Sequence, residues 1–165
     1  MKLNKLKKRY KKQLNRSLKK FFIAIISTIA GGIFLTQYDR IIDGDTFKIK
    51  GETIRLYGID APEKKQICHI RKTPWNCGVE AKEALKKIMN NRKISCTPKS
   101  KDKYGRMTAI CYADTTEINK SMVRLGYALA YREYSKQYIP DEEYAKNNKL
   151  GIWQGSFDSP KDYRK

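Results

Sequence analysis

The residues with the most chemistry in this chain fall in three short stretches. They are Asp43-Gly44-Asp45-Thr46, the run from Arg55 to Asp60-Ala61-Pro62-Glu63, and Asp102-Lys103-Tyr104-Gly105-Arg106. Carboxylates hold hard cations and activate water, and guanidiniums neutralise a phosphate as it gains charge. Each stretch also carries a turn-former (Gly44, Pro62, Gly105), which puts the polar groups at strand ends and loops. One such stretch alone reads as a solvated turn. Three in a chain of 165 residues, each adding a different part of one phosphoryl reaction, outweigh that reading.

Asp45 and Asp60 lie near strand ends in one meander, so they can meet at one rim as ligands of a hard divalent cation, with Asp43 supporting them. The 12-residue acid spacing of a calcium-binding helix-loop-helix is absent. Such a cation would polarise a phosphate and position the attacking water. Glu63, on the same rim, is either the general base for that water or an exposed loop acid. Arg55 occupies a strand whose alternate residues face inward, and a buried guanidinium needs an anion, either a carboxylate or a substrate phosphate. Arg106 follows a tight Tyr104-Gly105 turn and can reach the same phosphate from the other side. Lys103 and Tyr104 are candidate nucleic-acid contacts in that turn. Tyr131 and Tyr134 either stack on a base and contact a terminal phosphate, or pack in the core. No Gly-x-Ser-x-Gly elbow exists and His69 is the single histidine, which argues against a nucleophilic triad.

These groups need a scaffold, and from Tyr38 onward the pattern is one of short alternating strands. Asp39–Ile42, Phe47–Ile49 and Thr53–Tyr57 form a meander, with Lys50-Gly51-Glu52 as a turn. Residues 64–78 read as an irregular loop. Val79 to Asn90 is an amphipathic helix with Ala81, Ala84, Leu85, Ile88 and Met89 on one side. Ile94–Thr97 and Thr108–Tyr112 are two further strands flanking the third motif. Ile118–Leu125 is a second helix stopped by Gly126, and Pro140-Asp141-Glu142-Glu143 opens a third that runs towards Gly151. Five strands with three helices predict an α+β, mainly β fold: a small five-stranded Greek-key barrel of the oligonucleotide-binding type, or alternatively a two-layer sandwich.

Composition sets the context. Residues 1–20 hold ten Lys or Arg and no acid, and residues 21–35 hold no charge at all. A basic head before an apolar run is the layout of a secretory signal or a signal anchor, with the positive flank retained on the cytoplasmic side. The expected organisation is a basic region 1–20, a hydrophobic signal or anchor helix 21–36, a domain 38–153 and a flexible tail 154–165. The tether to the membrane persists only if the segment is uncleaved. Of the net charge of +19, the head contributes +10 and the remainder +9, a balance that favours a polyanionic partner.

Four cysteines permit three pairings, and export makes disulfides plausible. No Cys-x-x-Cys pair is present to suggest zinc. Cys96 and Cys111 each lie in an apolar, β-prone run with a turn between them, so adjacent antiparallel strands can join them. Cys68–Cys77 would then close the small loop around Pro74 and Trp75.

Together the string Asp43-Gly44-Asp45-Thr46, the run Ile54-Arg55-Leu56-Tyr57-Gly58-Ile59-Asp60-Ala61-Pro62-Glu63 and Asp102-Lys103-Tyr104-Gly105-Arg106 resemble the thermonuclease (staphylococcal nuclease-like) family. The similarity runs over roughly residues 38–153, through Met122-Val123-Arg124-Leu125-Gly126 to Gly151-Ile152-Trp153. The resemblance implies an oligonucleotide-binding barrel and Ca2+-dependent hydrolysis of DNA and RNA, with 3′-phosphate products, by a monomeric enzyme. Carried over by position, Asp45 and Asp60 look like the metal carboxylates and Ala61 a ligand through its backbone carbonyl. Arg55, Glu63 and Arg106 resemble the catalytic trio, Asp43 and Thr46 its supports, and Lys103 a phosphate contact. Tyr134 matches a nucleotide-contacting tyrosine directly, and Tyr131 matches one only after a one-residue shift. The cysteine pairs are similar to those of exported proteobacterial relatives, which implies an extracytoplasmic home. A barrel of this kind that has lost catalysis would instead be a nucleic-acid-binding module at the membrane.

Overall fold

The structure is a computed structural model and describes residues 38–165; the basic head and the hydrophobic segment expected at 21–36 lie outside the described residues. Among the described residues, no helix is long and apolar enough to cross a membrane.

Three strands, β1 (Arg40–Ile41), β2 (Thr46–Ile49) and β3 (Glu52–Leu56), form the antiparallel meander that alternation predicts. Its second turn is two residues long, and Lys50 (φ 51°) and Gly51 (φ 80°) both take the left-handed backbone that suits a tight hairpin. β4 (Ile59–Asp60) follows. In β3 the pleat sends Ile54 and Leu56 into the core and Arg55 to the opposite face.

The stretch 64–78, expected as an irregular loop, contains a small hairpin of β5 (Cys68–Ile70) and β6 (Thr73–Trp75). Its strands are too short to show alternation. They hold because Cys68 is bonded to Cys77 (Cα–Cα 5.6 Å) at the start of helix α1 (Cys77–Met89). That helix buries Ala81, Ala84, Leu85 and Met89 at the expected spacing, with Ile88 at the margin.

β7 (Ile94–Lys101) and β8 (Met107–Ala113) pair antiparallel with Cys96 directly opposite Cys111, and these two form the second predicted disulfide (Cα–Cα 4.1 Å). β8 also pairs with β3 in parallel, which makes the main sheet order β1-β2-β3-β8-β7, with β9 (Thr116–Glu117) added to β8. The sheet curls into a half-barrel, so the mainly β, oligonucleotide-binding-type expectation is borne out over the sandwich.

Helix α2 (Ile118–Arg124) closes the core, adding Ile118, Met122 and Val123 to the buried cluster that holds Phe47, Ile54 and Leu56. Each such side chain contributes roughly 1.5–3 kcal/mol on burial. Buried Asn119 pins that helix to the sheet: it donates to the carbonyls of Tyr57 (2.9 Å) and Ala109 (3.1 Å) and accepts from the amide of Cys111 (3.0 Å). β10 (Leu129–Ala130) pairs antiparallel with β4, Leu129 opposite Asp60.

Helix α3 (Ile139–Asn147) carries its proline in the first turn and ends near Gly151, with Asn148 as its cap. Its first acids do more than face the helix dipole. Glu142, 3 % exposed, accepts from the amide of Ala130 (2.9 Å) and pairs with Arg132, so it holds the strand opposite Asp60. Ile152 packs into the second small core beside the Cys68–Cys77 disulfide. The segment after it, expected as a loose tail, folds back. Ser156 and His69 exchange backbone hydrogen bonds (2.8 and 2.9 Å), and a one-turn helix α4 (Pro160–Tyr163) follows.

Candidate active site

Backbone register brings the first two motifs together. Thr46 pairs with Arg55 across β2 and β3, and Arg55 pairs with Thr108 across β3 and β8. Arg106 precedes Thr108 by two residues and so emerges on the same face as Arg55. The strand pleat therefore aims both guanidiniums at one side of the sheet, where they line a cleft of about 620 Å³ with Asp43 and Glu63.

Behind this cleft, Asp45 (2 % exposed) and Asp60 (3 %) meet across the guanidinium of Arg55. Arg55 Nη1 donates to Asp45 Oδ1 at 3.0 Å, and Nη2 lies 3.0 Å from Asp45 Oδ2 and 2.8 Å from Asp60 Oδ1. Thr46 Oγ1 donates to Asp45 Oδ1 (2.7 Å) and the amide of Ala61 to Asp45 Oδ2 (3.1 Å). Asp43 Oδ1 accepts from the amide of Asp45 (3.2 Å), so the supports expected from the sequence do touch Asp45. Burial, then the charge of Asp45 beside it, pushes the Asp43 carboxyl up to about 7. Burial also raises Asp60 above the usual carboxylate range, although Arg164 and Arg55 pull against it.

The choice left open for Arg55 thus falls on carboxylates, although its edge still lines the cleft. The hard oxygens of Asp45 and Asp60 suit a divalent cation such as Ca2+. Among the described residues no cluster of three or more His, Cys, Asp or Glu side chains is disposed to hold a metal ion, so backbone carbonyls and water would complete such a shell.

Glu63 is held from both sides. Its amide donates to Oε1 of buried Gln66 (3.1 Å), and its carbonyl accepts from the amide of Gln66 (2.7 Å). A Cβ at Gly78 would sit 1.8 Å from the Glu63 carbonyl oxygen, so only glycine lets the first turn of α1 lie against this loop.

On the opposite wall, Asp102 organises the third motif. Its Oδ1 accepts the amides of Tyr104 (2.9 Å) and Arg106 (3.0 Å), and its Oδ2 accepts Arg106 Nε (2.6 Å). Burial opposes ionisation of Asp102, but hydrogen bonds from Arg106 and Tyr104 outweigh it and hold the carboxyl below its usual value. Tyr104 is 70 % exposed, with Lys103 Nζ 5.1 Å and Arg106 Cζ 5.2 Å from its ring centre.

Neither Tyr131 nor Tyr134 is a core residue; Tyr138 fills that role, at 1 % exposure. The rings of Tyr131 and Tyr134 lie 4.9 Å apart beside the cleft, and Tyr57 donates its hydroxyl to the Tyr134 carbonyl (2.5 Å). Sequence reasoning assigned no role to Asp102, Gln66, Tyr57 or Arg164. Asp102 stood inside a motif already singled out, four residues before its arginine. Tyr57 likewise stood in the second motif, two residues after Arg55, whereas Gln66 and Arg164 carry no local signal.

A family described as Staphylococcal nuclease homologue matches residues 53–155. Over 148 residues the chain is 33% identical to a micrococcal nuclease of Shigella flexneri, covering 79% of this chain and 80% of that one. It is 33% identical over 135 residues to the endonuclease YncB of Bacillus subtilis (strain 168), covering 72% and 61%. It is also 35% identical over 118 residues to the succinoglycan biosynthesis protein ExoI of Rhizobium meliloti (strain 1021), covering 69% and 62%. The chain spans about three fifths of the length of the latter two relatives. The matched region takes in Arg55, Asp60, Glu63 and Arg106, and the chain belongs to the staphylococcal nuclease homologue family.

Proposed function

We propose that the protein is an exported, Ca2+-dependent endonuclease that hydrolyses phosphodiesters of DNA and RNA without regard to the sugar. The observation that carries this reading is the convergence of Glu63, Arg55 and Arg106 on one cleft in front of the buried pair Asp45 and Asp60. The nuclease names of two relatives support it.

A calcium ion held by Asp45, Asp60 and the Ala61 carbonyl would supply Lewis-acid polarisation of the phosphate. Glu63 takes the proton from the attacking water, which then adds to phosphorus in line with the departing 5′ oxygen. Arg106 donates Nη hydrogen bonds to the equatorial oxygens as charge builds on them, its plane set by the Nε contact to Asp102. Arg55 supplies a second fixed positive charge and keeps the two aspartates from repelling each other apart. Lys103 and exposed Tyr104 contact the strand beyond the scissile phosphate, and Tyr131 and Tyr134 offer faces for a flanking nucleotide. The enzyme acts as a monomer outside the cytoplasm. Residues 21–35 are either a cleaved signal or a membrane anchor. The two disulfides are consistent with an oxidising compartment.

Digestion of single- and double-stranded DNA and of RNA, with Ca2+ or with chelator, tests the reading. Cleavage of all three with Ca2+, leaving 3′-phosphate ends and stopping on chelation, is expected. Tight nucleic-acid binding with no cleavage would favour a catalytically silent binding module instead.

A further inference from the structure

The segment after Trp153 reaches across the molecule and delivers a third arginine to the cleft, the second to touch Asp60. Ser156 pairs with His69 on the β5–β6 hairpin, and Gln66 Nε2 donates to the carbonyl of Asp158 (2.7 Å). Ser159 then caps α4, its Oγ accepting from the amide of Asp162 (3.1 Å). The turn ends with Arg164 over the rim. Arg164 Nη1 donates to Asp60 Oδ1 (3.0 Å) and to Glu63 Oε1 (2.8 Å), and Nη2 donates to Asp60 Oδ2 (2.9 Å). Asp60 Oδ1 accepts from Arg55 as well.

Both oxygens of Asp60 and one of Glu63 are therefore taken up by guanidinium donors. A hard cation on Asp60 needs the same lone pairs, and Arg164 occupies one of the two Glu63 oxygens that could take the proton of an attacking water. The two arginines on Asp60 differ in how they are held. Arg55 is fixed in mid-sheet, whereas Arg164 has a side chain 35 % exposed and stands just past the end of a four-residue helix. A helix of one turn has little intrinsic stability, so the residue that follows it can leave without disturbing the core.

We propose that residues 156–165 form a built-in guard on the site, in which the Arg164 guanidinium and a divalent cation compete for Asp60, with Glu63 released when the cation wins. This rests on Asp60 being a metal ligand, as proposed above. Ser156 and Asp158 are the fixed hinge, and α4 with Arg164 is the part that swings. Calcium thus acts twice in this scheme, as a bound group and as the signal that opens the cleft.

Calcium titration by calorimetry on the full chain separates the possibilities. The variants are Arg164→Ala, Arg164→Lys and, as a control that removes the same charge next door, Lys165→Ala, whose ammonium also lines the cleft but pairs with Asp162 rather than with Asp60 or Glu63. Losing a charge-assisted fork that must otherwise be broken should tighten calcium binding roughly tenfold in Arg164→Ala. Arg164→Lys, with one point contact, should gain less, and Lys165→Ala should stay within about twofold of wild type. The Nε–Hε nuclear magnetic resonance signal of Arg164 should move with calcium at the same midpoint. Unchanged or weaker calcium binding in Arg164→Ala, or an Arg164 signal indifferent to bound calcium, overturns the guard. If wild type and Arg164→Ala both take up no calcium, the metal assignment itself falls and the guard with it. That outcome is distinct from calcium binding normally to both.

Discussion

Arg55 lies mid-strand with two buried carboxylates against its guanidinium, whereas Arg106 stands at the end of a turn with one carboxylate on Nε. Side-chain exposure is 16% for Arg55 and 29% for Arg106, and the partners differ more than the exposure does. Arg55 neutralises Asp45 and Asp60, groups that would otherwise repel each other in a low-dielectric site. Among the described residues, Arg106 has its partner only on Nε, which leaves its Nη edge for a ligand. One residue type thus does two jobs on one face of the sheet. Arg55 chiefly keeps the site assembled, and Arg106 chiefly meets what enters it.

If this division is right, the two arginines fail differently. Arg55→Ala should lower the unfolding free energy by about 3–5 kcal/mol, because it leaves buried Asp45 without a cationic partner and Asp60 with Arg164 alone, and should abolish activity alongside. Urea unfolding measures it. A variant of wild-type stability would erase the contrast. Arg106→Ala should leave the unfolding midpoint nearly unchanged and lower kcat about 10²–10³-fold, as loss of a transition-state donor does. A drop in melting temperature comparable to that of Arg55→Ala would show that both are structural.

A finer test lies on Asp102. Asp102→Asn keeps an acceptor for the turn amides but removes the charge that fixes Nε of Arg106, and should lower kcat about tenfold with KM little altered. The smallest effect is acid dependence. Asp102 is held below its usual 3.8 in the folded state, so its contribution to stability is complete above 3.8 and is lost as pH falls through the lower folded value. The stability gap between wild type and Asp102→Asn should therefore close on acidification from about pH 5 to about pH 2. A gap that is constant or widens would contradict the ion pair.

The same contrast explains what could be read in advance. β2, β3, β8 and α1 carry their own periodicity, and the opposition of Cys96 to Cys111 followed from two strands with a turn between them. The placement of Asp45 near Asp60 was legible because both sit at ends of one meander. The strands β4 and β10 were not, since two residues cannot show alternation; they exist because Glu142, from a helix later in the chain, accepts the amide of Ala130. The β5–β6 hairpin likewise depends on a disulfide and on Ser156. Arg164 was invisible for the same reason. Its partners are about a hundred residues away, and a Tyr-Arg-Lys end to a polar segment is ordinary surface composition. The tyrosines fall between these cases: residue type singled out Tyr131 and Tyr134 but left stacking and core packing open, and only the fold shows that Tyr138 is the buried one and Tyr134 the exposed one.

The central claim is that Glu63 activates water at this cleft in a Ca2+-dependent phosphodiester hydrolysis. Single-turnover cleavage of a defined oligonucleotide by wild type and Glu63→Gln at saturating Ca2+ tests it most directly. The amide keeps the shape and an acceptor but cannot take the proton, so the chemical step should slow about 10²–10⁴-fold while oligonucleotide affinity holds. Equal rates for the two proteins would contradict the account.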